Sequence, residues 1–192
     1  MSLQNIRTQI KNHPGNAWAK EKGWQPVYTA HENARILIVG QAPGIRAQES
    51  GTPWNDPSGD NLRSWMGIDR ETFYDETKIV LVPMDFYFPG SKERGDLPPR
   101  PDFAPTWHAQ ILALMPDITL TLLIGQYAQA YYLGAQKKKT LTETVKNFQE
   151  YLPEYLPLVH PSPRNNIWQK KNPWFATDVL PALQTRVQNI LP

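Results

Sequence analysis

The chain has 192 residues, 40% hydrophobic and 20% charged, which suits one domain with a sizeable core and argues against disorder. A net charge of +2 gives no general attraction to nucleic acid; that would need a clustered basic patch. The absence of cysteine excludes disulfides, iron–sulfur clusters, thiolate metal sites and a cysteine nucleophile.

The N-terminal stretch MSLQNIRTQIKNHPGNAWAK is too polar for a signal peptide, and no apolar run reaches about 18 residues. A cytoplasmic protein without a membrane partner is expected. The first clear element is Arg35–Gly40, a continuous apolar run ending in glycine, as in a strand buried on both faces. Ser58–Met66 and Asp69–Tyr74 open with helix-capping residues. Lys78–Pro83 repeats the strand pattern. The proline-rich segment Asp85–Pro105 has no periodicity, and a loop that long in a compact domain is usually functional. A helix over Ala104–Met115, a strand over Ile118–Gly125 and a helix over Gln126–Leu133 follow. Thr140–Leu152 reads as an amphipathic helix. Tyr155–His160 reads as a strand whose Pro157 suits an edge or a late start, and Asn172–Ile190 as a last helix bent or split at Pro181.

Alternating strands and helices imply an α/β fold: a single-domain three-layer αβα sandwich around a mostly parallel four-stranded sheet. Ligands of such sheets bind beyond the carboxyl ends of the strands. Four loops should therefore meet: Gly40–Gly44, Pro83–Phe86, Gly125–Gln126 and His160–Pro163.

The loop Gly40-Gln41-Ala42-Pro43-Gly44 is neither a Walker loop nor a dinucleotide fingerprint. In Val159-His-Pro-Ser-Pro-Arg-Asn-Asn166, two prolines stiffen the chain on either side of Ser162, a way to fix the imidazole of His160 and one hydroxyl in place. Histidine can donate to a developing negative charge or shuttle a proton. No nucleophile elbow is present, and His13, His31, His108 and His160 lack metal-ligand spacing, so no metal is expected.

The GQAPG loop after the first strand and the HPSPRN loop after the last resemble the uracil-DNA glycosylase superfamily, from about Arg35 to Trp168. Ser50-Gly-Thr-Pro-Trp54 adds a third match, with Trp54 where the family places a ring that stacks on the extruded base. The resemblance implies a metal-independent monofunctional glycosylase, without cofactor, acting as a monomer on DNA that contains uracil or a related deaminated base. It implies that His160 donates to the leaving base, that Gln41 contacts the base or positions water, and that Ala42, Pro43, Gly44 and Trp54 surround the base. Ser162, Pro163, Arg164 and Asn165 would then contact DNA, with Arg164 at the position of a stack-filling wedge.

The chain departs from the family pattern in places. Ala42 replaces an acidic residue that orients water in the most active branch, leaving Glu49, Asp56 or Asp60 to do so. Asp85 stands near a family asparagine that reads the base; a carboxylate cannot donate to O4, so a role in orienting water or in the structure is expected. The branch with this motif usually carries an iron–sulfur cluster, which a cysteine-free chain cannot. Lys170 and Lys171, and Lys92, Arg94 and Arg100 in the long loop, could border the DNA, whereas Lys137–Lys139 reads as a solvated face. The alternatives are a catalytically weak nucleobase- or damaged-DNA-binding module on the same fold, and an unrelated small-molecule hydrolase.

Overall fold

The computed structural model describes residues 2–93 and 95–191, so Arg94 lies outside the described residues. The elements in chain order are α1 (Leu3–Asn12), α2 (Ala17–Glu21), β1 (Ile36–Val39), α3 (Ile45–Ser50), α4 (Pro57–Met66), α5 (Arg70–Tyr74), β2 (Ile79–Leu81), β3 (Ser91–Lys92), β4 (Gly95–Asp96), α6 (Phe103–Leu112), β5 (Leu120–Ile124), α7 (Gln126–Leu133), α8 (Leu141–Lys146), β6 (Tyr155–Leu158), α9 (Asn166–Lys171) and α10 (Leu180–Ile190).

Four strands form one sheet in the order β2-β1-β5-β6, and every pairing is parallel. Successive side chains of a strand point to opposite faces, so each apolar run supplies two layers. Leu37, Val39, Val80 and Leu123 pack on one face against Ile6 and Ile10 of α1 and Trp107 and Ile111 of α6. Ile36, Ile38, Leu81, Leu122 and Leu158 pack on the other against Leu62 and Met66 of α4 and Leu183 and Val187 of α10. The architecture is thus the αβα sandwich expected, with Pro157 on the edge strand β6. Among the described residues no helix is long and apolar enough to cross a membrane.

The helix expected over Thr140–Leu152 was too long, whereas the one expected to bend or split at Pro181 changes type beside that residue. The segment after Thr140 leaves the α-helix at Lys146, and Phe148–Tyr151 continues as a 3₁₀ turn. Pro181 has no N–H for the carbonyl four residues back. The chain instead widens into a π turn over Phe175–Val179, where the Leu180 N–H reaches the Phe175 carbonyl, and only then begins α10. The short hairpin β3–β4 and the helices α1 to α3 carried no recognised sequence signal.

The carboxyl edge of the sheet is tied together beyond the strands. Met84 N donates to the Gly40 carbonyl at 2.9 Å, and Asp85 N to that of Gln41 at 3.2 Å, which extends the β1–β2 ladder into the loops. Gln129 of α7 donates from Nε2 to the carbonyls of Leu123 and Leu158, clasping β5 to β6 just before the His160 loop. His108 of α6 sits 2.9 Å from the Pro83 carbonyl through Nε2 and 2.7 Å from the Tyr132 hydroxyl through Nδ1. A carbonyl can only accept, so Nε2 carries the proton and Nδ1 accepts from Tyr132.

Burial lowers the His108 pKa from 6.5 to about 4. Between those values the unfolded chain binds the proton that the folded one refuses, so stability falls as pH falls through this window and levels off below it. At about 1.4 kcal/mol per unit the full loss is about 3 kcal/mol. Urea unfolding between pH 7 and pH 4 should show this slope, and His108→Gln should flatten it.

Candidate active site

A cavity of about 170 Å³ opens at the carboxyl edge, lined by the Gly40–Gly44 loop, Pro53, Trp54, Asp56, Ser58, Pro83, Asp96 and His160, with Ala47. A cavity of about 150 Å³ can hold a benzene ring, so this space accepts one six-membered heterocycle. The three motifs on which the family resemblance rests therefore border one cleft.

The imidazole of His160 follows β6 after one buried residue, Val159. Its Nδ1 accepts from the Ser162 N–H at 3.2 Å, which places the ring proton on Nε2. Asn165 donates from Nδ2 to the His160 carbonyl at 2.7 Å, and Asn61 of α4 donates to the Pro161 carbonyl at 2.8 Å. The Ser162 hydroxyl accepts from Arg164 N at 3.3 Å. Ser162 and Asn165 thus brace the loop from within, while the side chains of Pro163 and Arg164 are exposed. Burial pushes the His160 pKa down, and the nearby Asp56 carboxylate partly offsets that shift. The ring is accordingly neutral at pH 7.

Trp54 has φ 59°, the left-handed region, at the only non-glycine residue there among those described. Such a conformation costs about 1–3 kcal/mol. Arg63 of α4, 6% exposed, donates to the Trp54 carbonyl at 3.2 Å, and Tyr74 of α5 donates from its hydroxyl to the Pro53 carbonyl at 2.8 Å. Gly59 leaves the space this carbonyl needs: a Cβ there would lie 1.8 Å from the Trp54 oxygen. Gly40 admits the indole in the same way, since its Cβ would stand 3.0 Å from Cζ2. The indole and the His160 ring lie nearly parallel, 29° apart, with centroids 5.6 Å apart. Two stacking contacts need about 7 Å, so no base fits between them. A base reaching the stacking position takes the other indole face or turns the indole.

Gln41 donates from Nε2 to the Leu97 carbonyl at 3.1 Å, which fastens the strap carrying β3 and β4 over the cavity. That strap brings Asp96 into the lining, a residue with no sequence signal. Of the acids considered as substitutes for Ala42, Asp56 lines the cavity. Asp60 points to solvent and pairs with Arg63 at 2.6 Å. Asp56 Oδ1 caps α4 by accepting from Gly59 N at 2.9 Å.

Asp85 does not line this cavity. It is fully buried, and Arg100 grips both of its oxygens, Nε to Oδ2 at 2.7 Å and Nη2 to Oδ1 at 2.8 Å. Tyr87 N at 3.1 Å and Arg100 N at 3.2 Å complete the set of donors. Of the two roles expected for Asp85, its geometry serves the structural one; the catalytic role of orienting water is corrected, because both of its oxygens are held by Arg100 outside the cavity. Arg100 likewise does not border DNA as a free cation: Nη1 is taken by the Gly15 carbonyl and Asn16 Oδ1. Lys170 and Lys171 are exposed at the end of α9, and Lys138 pairs with Glu150. Ile167 of α9, 67% exposed beside the histidine loop, is an apolar surface group that sequence reading passed over. Among the described residues no group of three or more His, Asp or Glu side chains could hold a metal ion.

A doubly covered parallel sheet with a ring-sized cleft at its carboxyl edge, walled by an indole and an imidazole, defines an α/β protein whose candidate site lies beyond the carboxyl ends of its strands. Residues 26–184 match the family description Uracil DNA glycosylase superfamily. The chain belongs to that superfamily, and membership supports a DNA glycosylase-type function.

Removing Arg100 strands a buried carboxylate. Arg100→Ala should therefore cost about 3–5 kcal/mol in urea unfolding. Gly59→Ala should cost about 1–3 kcal/mol by overpacking against the Trp54 carbonyl.

Proposed function

We propose that this chain, acting as a single domain and a monomer, excises uracil or a related deaminated base from DNA by hydrolysing its N-glycosidic bond. The observation that carries the reading is an imidazole whose Nδ1 accepts from the Ser162 N–H, leaving Nε2 free to donate, on the wall of a one-ring cavity that also holds Trp54 and a carboxylate. Extruding a base from the stack costs a few kcal/mol, which stacking on Trp54 and contacts to the base edge offset. As the C1′–N bond breaks, its electron pair moves to the base and the sugar becomes cationic. His160 Nε2–H donates to the base oxygen where the negative charge gathers. Asp56 faces the sugar side, stabilises the cation and accepts a proton from the water whose oxygen bonds to C1′, passing it to solvent, from which the released base anion is reprotonated. Gln41, Ala42, Pro43 and Gly44 hold the base edge. Exposed Pro163, Arg164 and Ile167 meet the DNA, with Ser162 and Asn165 shaping the loop that presents them.

The alternative, a binding module on the same fold, drew its support from Ala42, which cannot orient water, and from Asp85, which is held by Arg100 away from the cavity and does not read a base. Asp56 in the cavity supplies the carboxylate that position 42 lacks, which favours hydrolysis. Oligonucleotides carrying uracil, hypoxanthine, xanthine or mismatched thymine, treated with alkali after incubation, test the reading. Retained DNA binding with no abasic sites on any of them would select the module.

His160→Ala should slow base release by about 10²–10³-fold while the protein stays folded. Asp56→Asn isolates the charge, because asparagine caps a helix as well as aspartate does. Single-turnover rates should fall with it while the urea midpoint stays unchanged. Trp54→Ala should weaken uracil-DNA affinity by about 1–3 kcal/mol.

A further inference from the structure

The strap that carries Asp96 into the cavity has a second side. The next residue, Leu97, 39% exposed, lines a separate groove of about 520 Å³ with Trp18, Trp24, Phe88 and Pro98. The strap is closed where Leu97 N donates to the Gly90 carbonyl at 2.8 Å, and it is pinned to the catalytic loop by Gln41. Groove and cavity are therefore two sides of one short piece of chain.

Groove volume falls within the roughly 300–1,000 Å³ of ligand-binding clefts. Trp18 and Trp24 are half-buried and meet edge to face with centroids 5.9 Å apart. The exposed Lys22 holds its ammonium 4.6 Å from the Trp24 ring centre and 5.5 Å from that of Trp18. Its ammonium forms no ion pair among the described residues. Arg100, the other cation in the lining, is neutralised by Asp85, and the lining holds no acid. The ammonium rests over the indole faces, and Arg100 lies 5.5 Å from the centre of the Trp18 ring. When the exposed Lys22 side chain swings out to a backbone phosphate it uncovers Trp24 for a base to stack on, with no carboxylate in the lining to repel the phosphate, which makes this a surface for unpaired nucleotides. Duplex bases are already stacked on one another and cannot use it.

We propose that this groove binds unpaired nucleotides flanking the excised base, which makes the protein favour single-stranded or locally opened DNA. The choice of a nucleic acid as occupant rests on the base-excision reading. The test keeps the two apart by using a uracil-free probe. Binding of a 12-nucleotide oligo(dT), and of the corresponding oligo(dA)·oligo(dT) duplex, is measured by fluorescence anisotropy over a salt series. Trp24→Ala should weaken oligo(dT) binding about tenfold and leave duplex binding unmoved. Lys22→Glu, on an exposed side chain, should weaken it too and reduce the salt slope by about 0.7. If Trp24→Ala fails to fold, Lys22→Glu decides alone.

No binding of oligo(dT) by the wild type, variants that bind it as tightly as the wild type, or an equal loss on single strand and duplex would each overturn the inference. The first result would turn attention to a peptide as occupant. Wild-type uracil release is scored separately: its absence would refute base excision without deciding what the groove binds.

Discussion

The position of one indole governs the site. Trp54 sits in a backbone conformation that tryptophan rarely takes, and it stays there because its carbonyl and that of Pro53 are each held by a donor from the helices behind. A hydrogen bond from a charged donor such as Arg63 contributes about 1.5–3 kcal/mol, comparable to the cost of the left-handed turn. Arg63 is itself fixed by the aromatic face of Phe73, 5.1 Å from its guanidinium carbon, and by Asp60. Two glycines, one under the carbonyl and one under the ring, supply the space. The strain is thus borne by α4 and α5, which fix the backbone from which the indole enters the cavity.

The carboxylates divide by environment. Asp85 lies on the loop after β2, where the resemblance had suggested a base-reading group, yet it is wholly buried and surrounded by donors from Arg100, Tyr87 and the backbone. An acid held in that way anchors the long segment between β2 and α6 to the N-terminal helices, through Gly15 and Asn16 on the far side of Arg100. Asp56 spends one oxygen on a helix cap and borders the cavity, near enough to His160 to oppose the effect of burial on its pKa. A cap that is also a cavity wall lets α4 position both the carboxylate and, through Arg63, the indole.

Sequence spacing recovered the sheet because a strand covered on both faces must be apolar at every position, and four such runs stand out in this chain. It recovered the cleft because glycine and proline mark where those runs end. It missed the β3–β4 hairpin, whose two-residue strands are exposed and carry no periodicity. It could not choose among Glu49 of α3, Asp56 at the cap of α4 and Asp60 within α4, whose distances from the cavity are set only by how those helices pack. It set Arg100 beside the DNA, because a positive charge in a loop reads as solvated unless its partner is known.

The amino-acid order by itself determined the αβα layering, the edge at which the loops converge and the candidacy of Gly40–Gly44 and His160; Trp54 was added by the family resemblance. Periodicity and turn chemistry are local properties, written in residues a few positions apart. Tertiary structure alone decided which acid faces the cavity, which is locked in an ion pair, which ring nitrogen of His160 carries the proton and where Trp18, Lys22 and Trp24 meet the strap. Each of those outcomes depends on a partner brought close only when the sheet closes against its helices, so no local pattern records it.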